Sequence, residues 1–331
     1  MDLLSTIAPH GLHHVTAIAS DPQRNVDFYT EVLGLRLVKT TVNFDDPGTF
    51  HLYYGDEAGH PSTILTFFPW RGVPRGRQGS GLTTATAFSV PPTSLGWWQN
   101  HLADRDVDVV TGPTDRESGG ESEEVLTLRD PDGLVVELVS APGDTRSGWD
   151  GQGRIPAEHA VRGLHSVTMT ERIPDNTATL LTGLLGMTAN EQAGGERARF
   201  TMPGGLPGAS LDVAGSVDGT EGLQAGGTVH HVAFRAPDRP TQEQWRQELV
   251  AAGVQVTPII DRQYFTSIYF REPGGVLFEI ATDQPGFDVD EPLLELGRHL
   301  KLPPWLEPTR EQIEQSLPTL RVGGEIIEGT A

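Results

Sequence analysis

Short apolar strands and amphipathic stretches follow one another along this chain in an order that recurs four times. The recurrences open at Leu12-His13-His14-Val15, Leu82-Thr83-Thr84-Ala85, Leu164-His165-Ser166-Val167 and Val229-His230-His231-Val232. In the first unit, residues 14–19 read as a strand and residues 22–33 as a helix with Val26, Tyr29, Val32 and Leu33 on one side. Gly34 then suits the left-handed position past a helix end. Strands at 50–54 and 63–68 flank the polar stretch 55–61. The fourth unit repeats the order: strand 229–234, helix 241–252 carrying Trp245, Leu249 and Ala252, then strands 267–270 and 276–280 around Arg271-Glu272-Pro273-Gly274-Gly275.

The second unit ends alike, with strands 125–128 and 134–139 around Asp130-Pro131-Asp132-Gly133. The third is more degenerate, with Gly183 inside its helix. Four β-α-β-β-β modules in an α+β protein explain these signals better than a doubly wound sheet, for which no Gly-x-Gly-x-x-Gly follows a strand. The expected domains are 8–142 and 159–286, two modules each, joined by a Gly-, Asp-, Ser- and Pro-rich linker at 143–158. In the extension 287–331, Thr309 and Gln312 predict a capping box that starts a short helix running through Leu317.

Aligning the four units places His14, Thr84, Ser166 and His231 at one position and Thr66, Glu137, Asp212 and Glu279 at a second. Units one and four therefore supply His14, His231 and Glu279, the donor set of a two-histidine, one-carboxylate iron site. Fe(II), one per chain, suits these ligands, with Mn(II) as the alternative metal. Side chains alternate along a strand, so His13 and His14 cannot ordinarily point to the same place, nor can His230 and His231; His230 is instead an acid/base candidate, because an imidazole can titrate near neutral pH. The competing reading makes the paired histidines hydrogen-bonded core residues and Glu279 an ion-pair partner. Repetition in register, and the cost of burying a lone carboxylate in the apolar run Leu277-Phe278-Glu279-Ile280, favour ligation. Thr66 offers no strong fourth ligand, and the middle units predict a supporting barrel without a metal.

Composition narrows the partners. The formal net charge is -21, from 45 acidic and 24 basic side chains, which repels nucleic acid and anionic membranes. The sequence holds no apolar run of about 18 residues and no signal-peptide pattern at its start, so a cytoplasmic location is expected. With no cysteine, thiolate sites and disulfides are excluded. Lys39 and Lys301 are the only lysines.

Four segments carry a family resemblance: Leu-His-His-Val-Thr at 12–16, His-His-Val-Ala-Phe at 230–234, Tyr-Phe-Thr-Ser-Ile-Tyr-Phe-Arg-Glu-Pro-Gly-Gly-Val-Leu-Phe-Glu-Ile at 264–280, and Leu-Pro-Pro-Trp-Leu-Glu at 302–307. Over nearly its whole length the chain resembles the vicinal oxygen chelate superfamily, within it the ring-cleaving group that includes hydroquinone and dichlorohydroquinone 1,2-dioxygenases. The resemblance implies two vicinal oxygen chelate barrels (the glyoxalase/bleomycin-resistance/extradiol dioxygenase fold), with the first and fourth modules around the metal. It implies iron ligation by His14, His231 and Glu279, and roles around the site for His13, Thr16, His230, Arg262 and Tyr269. The activity implied is Fe(II)-dependent extradiol-type cleavage of a hydroquinone or related dihydroxyaromatic by O2, with homo-oligomerisation left open. A glyoxalase-like isomerase or lyase and a non-enzymatic small-molecule binder remain alternatives. Thr66 weighs against the first, and the four-module length against the second. From residues alone, Arg262 could equally serve a surface ion pair, and His230 and Tyr269 could be structural.

Overall fold

The computed structural model describes residues 7–118, 120–151, 153–190 and 197–330. Every module has the expected order. The first runs β1 (Leu12–Ala19), α1 (Pro22–Asp27), β2 (Arg36–Asn43), β3 (Asp46–Gly55) and β4 (Ile64–Pro69). The second runs β5 (Leu82–Val90), α2 (Leu95–Ala103), β6 (Val109–Ser118), β7 (Glu121–Arg129) and β8 (Val135–Ser140). The third comprises β9 (Gly163–Glu171), α3 (Pro174–Gly183), β10 (Thr188–Asn190), β11 (Arg197–Thr201) and β12 (Ser210–Gly215). The fourth comprises β13 (Val229–Ala236), α4 (Arg239–Ala251), β14 (Ile260–Asp261), β15 (Thr266–Arg271) and β16 (Leu277–Thr282). The tail adds α5 (Arg310–Ser316), β17 (Arg321–Val322) and β18 (Glu325–Ile326).

Two eight-stranded sheets result, ordered β14-β15-β16-β13-β1-β4-β3-β2 and β10-β11-β12-β9-β5-β8-β7-β6. The first module thus shares a sheet with the fourth, and the second with the third. Antiparallel pairs β1–β13 and β5–β9 form the two centres. Within each module, side chains on one face bury against the helix, as with Val26 and Tyr29 from the first helix and Trp245 and Leu249 from the fourth. No helix among the described residues is long and apolar enough to cross a membrane.

Three local expectations change. The first helix keeps α geometry only to Asp27 and then widens into a π turn at Phe28–Val32, closed by Leu33 N–H donating to Phe28 C=O at 3.1 Å. Gly183 ends the third helix instead of interrupting it. The capping box is absent: the Thr309 hydroxyl donates to the Leu306 carbonyl at 2.9 Å, because a 3-10 turn at Glu307–Thr309 leads directly into α5.

Two acid-bearing turns lock the modules together in matching ways. Asp130 accepts from the Asp132 and Leu134 amides within its own turn and from Tyr29 of the first module. Glu272 accepts from the Gly274 and Val276 amides and from Thr177 of the third module. Beside Glu272 lies Glu171, at the end of β9 and fully buried, with neither carboxyl oxygen hydrogen-bonded among the described residues. Gly274 makes room for it, since a Cβ there would stand 1.7 Å from Glu171 Oε2. Burial, and then the neighbouring Glu272, raise the Glu171 carboxyl to about 8.

The folded state therefore holds the Glu171 proton more tightly than the unfolded chain does, where the carboxyl titrates near 4.5. Its contribution to stability is complete below that value and declines as pH rises toward 8. Glu171→Gln should raise the denaturation free energy at pH 8 to 9 by roughly 1–3 kcal/mol, and much less at pH 5. Urea unfolding at both pH values checks this, and an equal effect at both would be the contrary result.

Candidate metal centre

The centre is built on the seam between β1 and β13. Their register runs Leu12↔Phe234, His14↔Ala233, Val15↔Val232, Thr16↔His231 and Ala17↔Val229, passing over His13 on one strand and His230 on the other. Each skipped residue is a β-bulge, an extra residue that breaks strict alternation and re-aims the side chain beside it. β16 runs parallel to β13 with Glu279 opposite Ala233, and Tyr269 on β15 lies directly across from Glu279.

The same bulge recurs in the other sheet, at Thr84 on β5 and His165 on β9. The pairs Thr16↔Thr66, Ala87↔Glu137, Thr168↔Asp212 and Ala233↔Glu279 then fix equivalence across modules. Stepping back two residues from each first member gives His14, Ala85, Ser166 and His231. The expected alignment of Thr84 with the ligand position is therefore displaced by one: Thr84 is the bulge, and Ala85 stands where the histidines stand. Runs of small and hydroxyl residues gave no sign of that offset in the sequence.

His14 Nε2, His231 Nε2 and Glu279 Oε2 form a triangle with edges of 3.2, 2.9 and 3.3 Å. All three residues are buried, and among the described residues this is the one cluster of three or more His, Cys, Asp or Glu ligand atoms lying within 4.8 Å of one another. Despite the short contacts, Glu279 Oε2 has no aligned hydrogen-bond donor. Its other oxygen, Oε1, accepts from Ser267. Donors held at about 2.1 Å from one octahedral ion and 90° apart would lie about 3 Å from each other, so the spacing fits a metal.

Hydrogen bonding orders the tautomers to match. His13 hydrogen-bonds the Thr282 carbonyl, which requires an N–H, and its Nδ1 lies 2.9 Å from His14 Nδ1. A neutral His13 then accepts at Nδ1, His14 donates from Nδ1, and the His14 Nε2 lone pair faces the triangle. His231 Nδ1 meets His230 Nδ1 at 2.8 Å in the equivalent arrangement. Burial drives the His13 and His231 pKa values below the ordinary range and pushes His230 down to about 3.

A cavity of about 320 Å³ opens onto the triangle. His230, Arg262 and Tyr269 line it with the three candidate ligands, so the structure brings six of the eight expected residues together. His230 shares the cavity with His231, as a residue expected around the site would. His13 faces a different cavity, and Thr16 lies beneath the site, its hydroxyl 3.0 Å from that of Thr66. Arg262 forms a surface ion pair and also reaches into the cavity wall: Nε donates to the Tyr269 hydroxyl at 3.1 Å, and Nη1 meets Asp45 at 3.0 Å. Burial, followed by Glu279, raises the Tyr269 pKa, so the phenol stays neutral.

Among the lining residues missed in the sequence are Tyr53 and His51. Tyr53 pairs with Thr66 as Tyr269 pairs with Glu279. His51, two residues earlier, reaches the Thr66 hydroxyl at 2.7 Å, as Ser267 reaches Glu279. Tyr53 OH and His51 Nδ1 are 2.9 Å apart. Superimposing modules one and four residue by residue along their third and fourth strands would have found both. Phe44, another wall residue, packs edge-on against Trp305 at 5.6 Å, which brings the tail to the rim of the site.

With fold and site defined, the family follows. Residues 11–138 and 163–280 match the Glyoxalase/Bleomycin resistance protein/Dioxygenase superfamily profile. The chain is 43% identical over 309 residues to "Putative ring-cleaving dioxygenase MhqO" of Bacillus subtilis, covering 93% of this chain and 95% of that one. It is 34% identical over 316 residues to the chlorohydroquinone/hydroquinone 1,2-dioxygenase of Sphingobium indicum, covering 93% and 95%. A crystal structure of a "putative dioxygenase" from Bacillus subtilis superimposes with a TM-score of 0.88 at 41% identity, covering 96% of this chain and 99% of that one. The protein belongs to the glyoxalase/bleomycin resistance/dioxygenase superfamily, the vicinal oxygen chelate fold.

In the second sheet, the counterparts of the carboxylate position are neutralised by arginines. Arg199 forms paired contacts with Asp212 at 2.8 and 3.0 Å and binds Glu123. Arg116 spans Glu137 at 2.6 Å and Glu123 at 3.1 Å. Arg199 lies opposite Asp212 as Tyr269 lies opposite Glu279, so a guanidinium fills the space that remains a cavity in the first sheet. Arg199→Met would leave Asp212 and Glu123 buried with one cation fewer. We expect a loss of about 3–5 kcal/mol of stability in chemical denaturation, with metal binding at the first site retained; a loss under 1 kcal/mol would contradict it.

Proposed function

We propose that this protein is an Fe(II)-dependent, extradiol-type ring-cleaving dioxygenase acting on a hydroquinone or related dihydroxyaromatic with O2. The observation that carries the proposal is the convergence of His14 Nε2, His231 Nε2 and the unpartnered Glu279 Oε2 at the end of a cavity walled by Phe44, Tyr53, Phe68, Trp70 and Phe265. The relatives named for ring cleavage support the same reading. Mn(II) is the alternative metal, because it accepts the same nitrogen and oxygen donors.

His14, His231 and Glu279 would hold the ion, and two neutral imidazoles with one carboxylate leave it a net positive charge suited to a singly deprotonated diol. When bound, the metal supplies the redox chemistry that lets O2 react with the ring. The aromatic walls hold the substrate ring and exclude water. Arg262 has donors only, so Tyr269 accepts from it and keeps its own phenolic hydrogen for a substrate oxygen. His230 commits Nδ1 to His231, which leaves Nε2 as the atom it can offer to substrate. Thr66, engaged by Thr16 and His51, is poorly disposed to act as the fourth protein ligand of a glyoxalase-like site.

Anaerobic loading should give one Fe(II) per chain, and His14→Ala, His231→Ala and Glu279→Ala should each weaken binding by two orders of magnitude or more, read by metal analysis of folded protein. Iron binding at full strength in all three variants would remove the assignment. The loaded enzyme should consume one O2 per hydroquinone and release an open-chain acid, whereas Tyr269→Phe should lower kcat by roughly 10- to 100-fold with iron retained. Inactivity toward hydroquinones, catechols and gentisate, combined with turnover of the methylglyoxal–glutathione adduct, would identify an isomerase instead. Ligand binding with no turnover of either kind would identify a binding protein.

A further inference from the structure

A second cavity of about 520 Å³ reaches the same histidine pair from the other side. His13 forms part of its wall, while His14 lines the first cavity. Phe265 lines both. Its ring lies 5.1 Å from that of His13 and 5.2 Å from that of His14, and it is 4% exposed. The backbone fixes its place. Gln263 takes φ +67°, Tyr264 N–H donates to Arg262 C=O at 2.7 Å, and Arg262 N–H donates to Phe265 C=O at 2.9 Å. Tyr264 in turn packs against Phe287 at 5.1 Å. Phe265 therefore sits on a tight, well-braced turn and lines a cavity on each side of it.

The first cavity, at about 320 Å³, is near the lower limit for small-molecule sites, roughly 300–1,000 Å³. It suits one substituted ring. The second, which shares only Phe265 with the lining of the first, adds more than the same volume again. Its inner walls are apolar, from Ile64, Tyr264, Phe265 and Phe287, and its rim carries Glu57, Asp283 and Asp288. Asp283 is already paired with Arg235, and the exposed Glu57 and Asp288 at the rim disfavour an anionic group, which leaves uncharged apolar groups as the natural occupants.

We propose that Phe265 is a size-determining partition, and that the cavity behind it is a latent subsite for a fused second ring or an uncharged alkyl substituent of a dihydroxyaromatic. The inference rests on the dioxygenase reading for its choice of substrate, but the partition is a property of the cavities. Removing the side chain beyond Cβ joins the two spaces, while Phe265→Leu opens them partly. Leu293, at the rim of the second cavity and away from the metal triangle, gives an independent handle: Leu293→Trp narrows that cavity alone.

The test compares hydroquinone with 1,4-naphthalenediol in two measurements, turnover by iron-loaded enzyme and equilibrium binding to metal-free protein. In Phe265→Ala, the ratio of kcat/KM for the naphthalenediol to that for hydroquinone should rise at least 10-fold, and binding of the naphthalenediol should tighten by a similar factor. Phe265→Leu should give an intermediate change. Leu293→Trp alone should leave hydroquinone kinetics within about twofold, and combined with Phe265→Ala it should abolish the gain. Metal analysis and thermal unfolding confirm that each variant is folded and loaded. Hydroquinone turnover with unchanged size preference in both measurements overturns the partition and keeps the dioxygenase. Tighter naphthalenediol binding without turnover of any diol keeps the partition and rejects the dioxygenase. Neither turnover nor a binding change rejects both.

Discussion

The antiparallel seam between β1 and β13 is the constraint on which the site depends. It brings together two histidines 217 residues apart and holds them on adjacent strands. Matching bulges at His13 and His230 then let each ligand histidine be held from behind by the residue before it. A regular pleat would send successive side chains to opposite faces and break the Nδ1–Nδ1 contacts. Those contacts leave both Nε2 lone pairs directed at Glu279. Three electron-rich donors about 3 Å apart and out of water repel one another, so the fold accumulates an unfavourable interaction that a cation would relieve.

The two sheets solve that problem differently from a common plan. In each, four equivalent positions converge beneath the central seam. The first sheet leaves a carboxylate and two imidazoles facing a cavity. The second fills the corresponding space with Arg199 and Arg116, which satisfy Glu123, Glu137 and Asp212 within the protein. One sheet turns its carboxylate and imidazoles toward a cavity, and the other pairs the matching carboxylates with arginines. Such unequal use of equivalent scaffolds gives the two sheets different side-chain chemistry without changing the architecture.

Connections outside the seam keep the halves in register. The Asp130 and Glu272 turns join modules that do not share a sheet, each through a hydroxyl from the other module's helical segment. The tail is tied down by Lys39, fully buried and bonded to Asp290 at 2.7 Å and Glu291 at 2.9 Å. From there the chain carries Trp305 to Phe44 at the cavity wall. The extension thus shapes the site without contributing a candidate ligand to it.

The sequence by itself determined the four modules, the order of their elements and the identity of the converging triad. Those features rest on local periodicity and on chemically distinctive residues. Val26, Tyr29, Trp245 and Leu249 mark their helices by spacing, and a carboxylate within an apolar strand is conspicuous. The tertiary structure alone decided that Ala85, not Thr84, matches His14, that Thr309 turns its hydroxyl away from α5, and that Phe265 lines two cavities. A bulge adds one residue without altering the apolar pattern, so a register shift leaves no local trace. A hydroxyl chooses among competing acceptors only when the chain on either side is placed, and a cavity wall exists only when distant strands meet. Local sequence encodes which face a residue prefers; long-range pairing decides what that face meets.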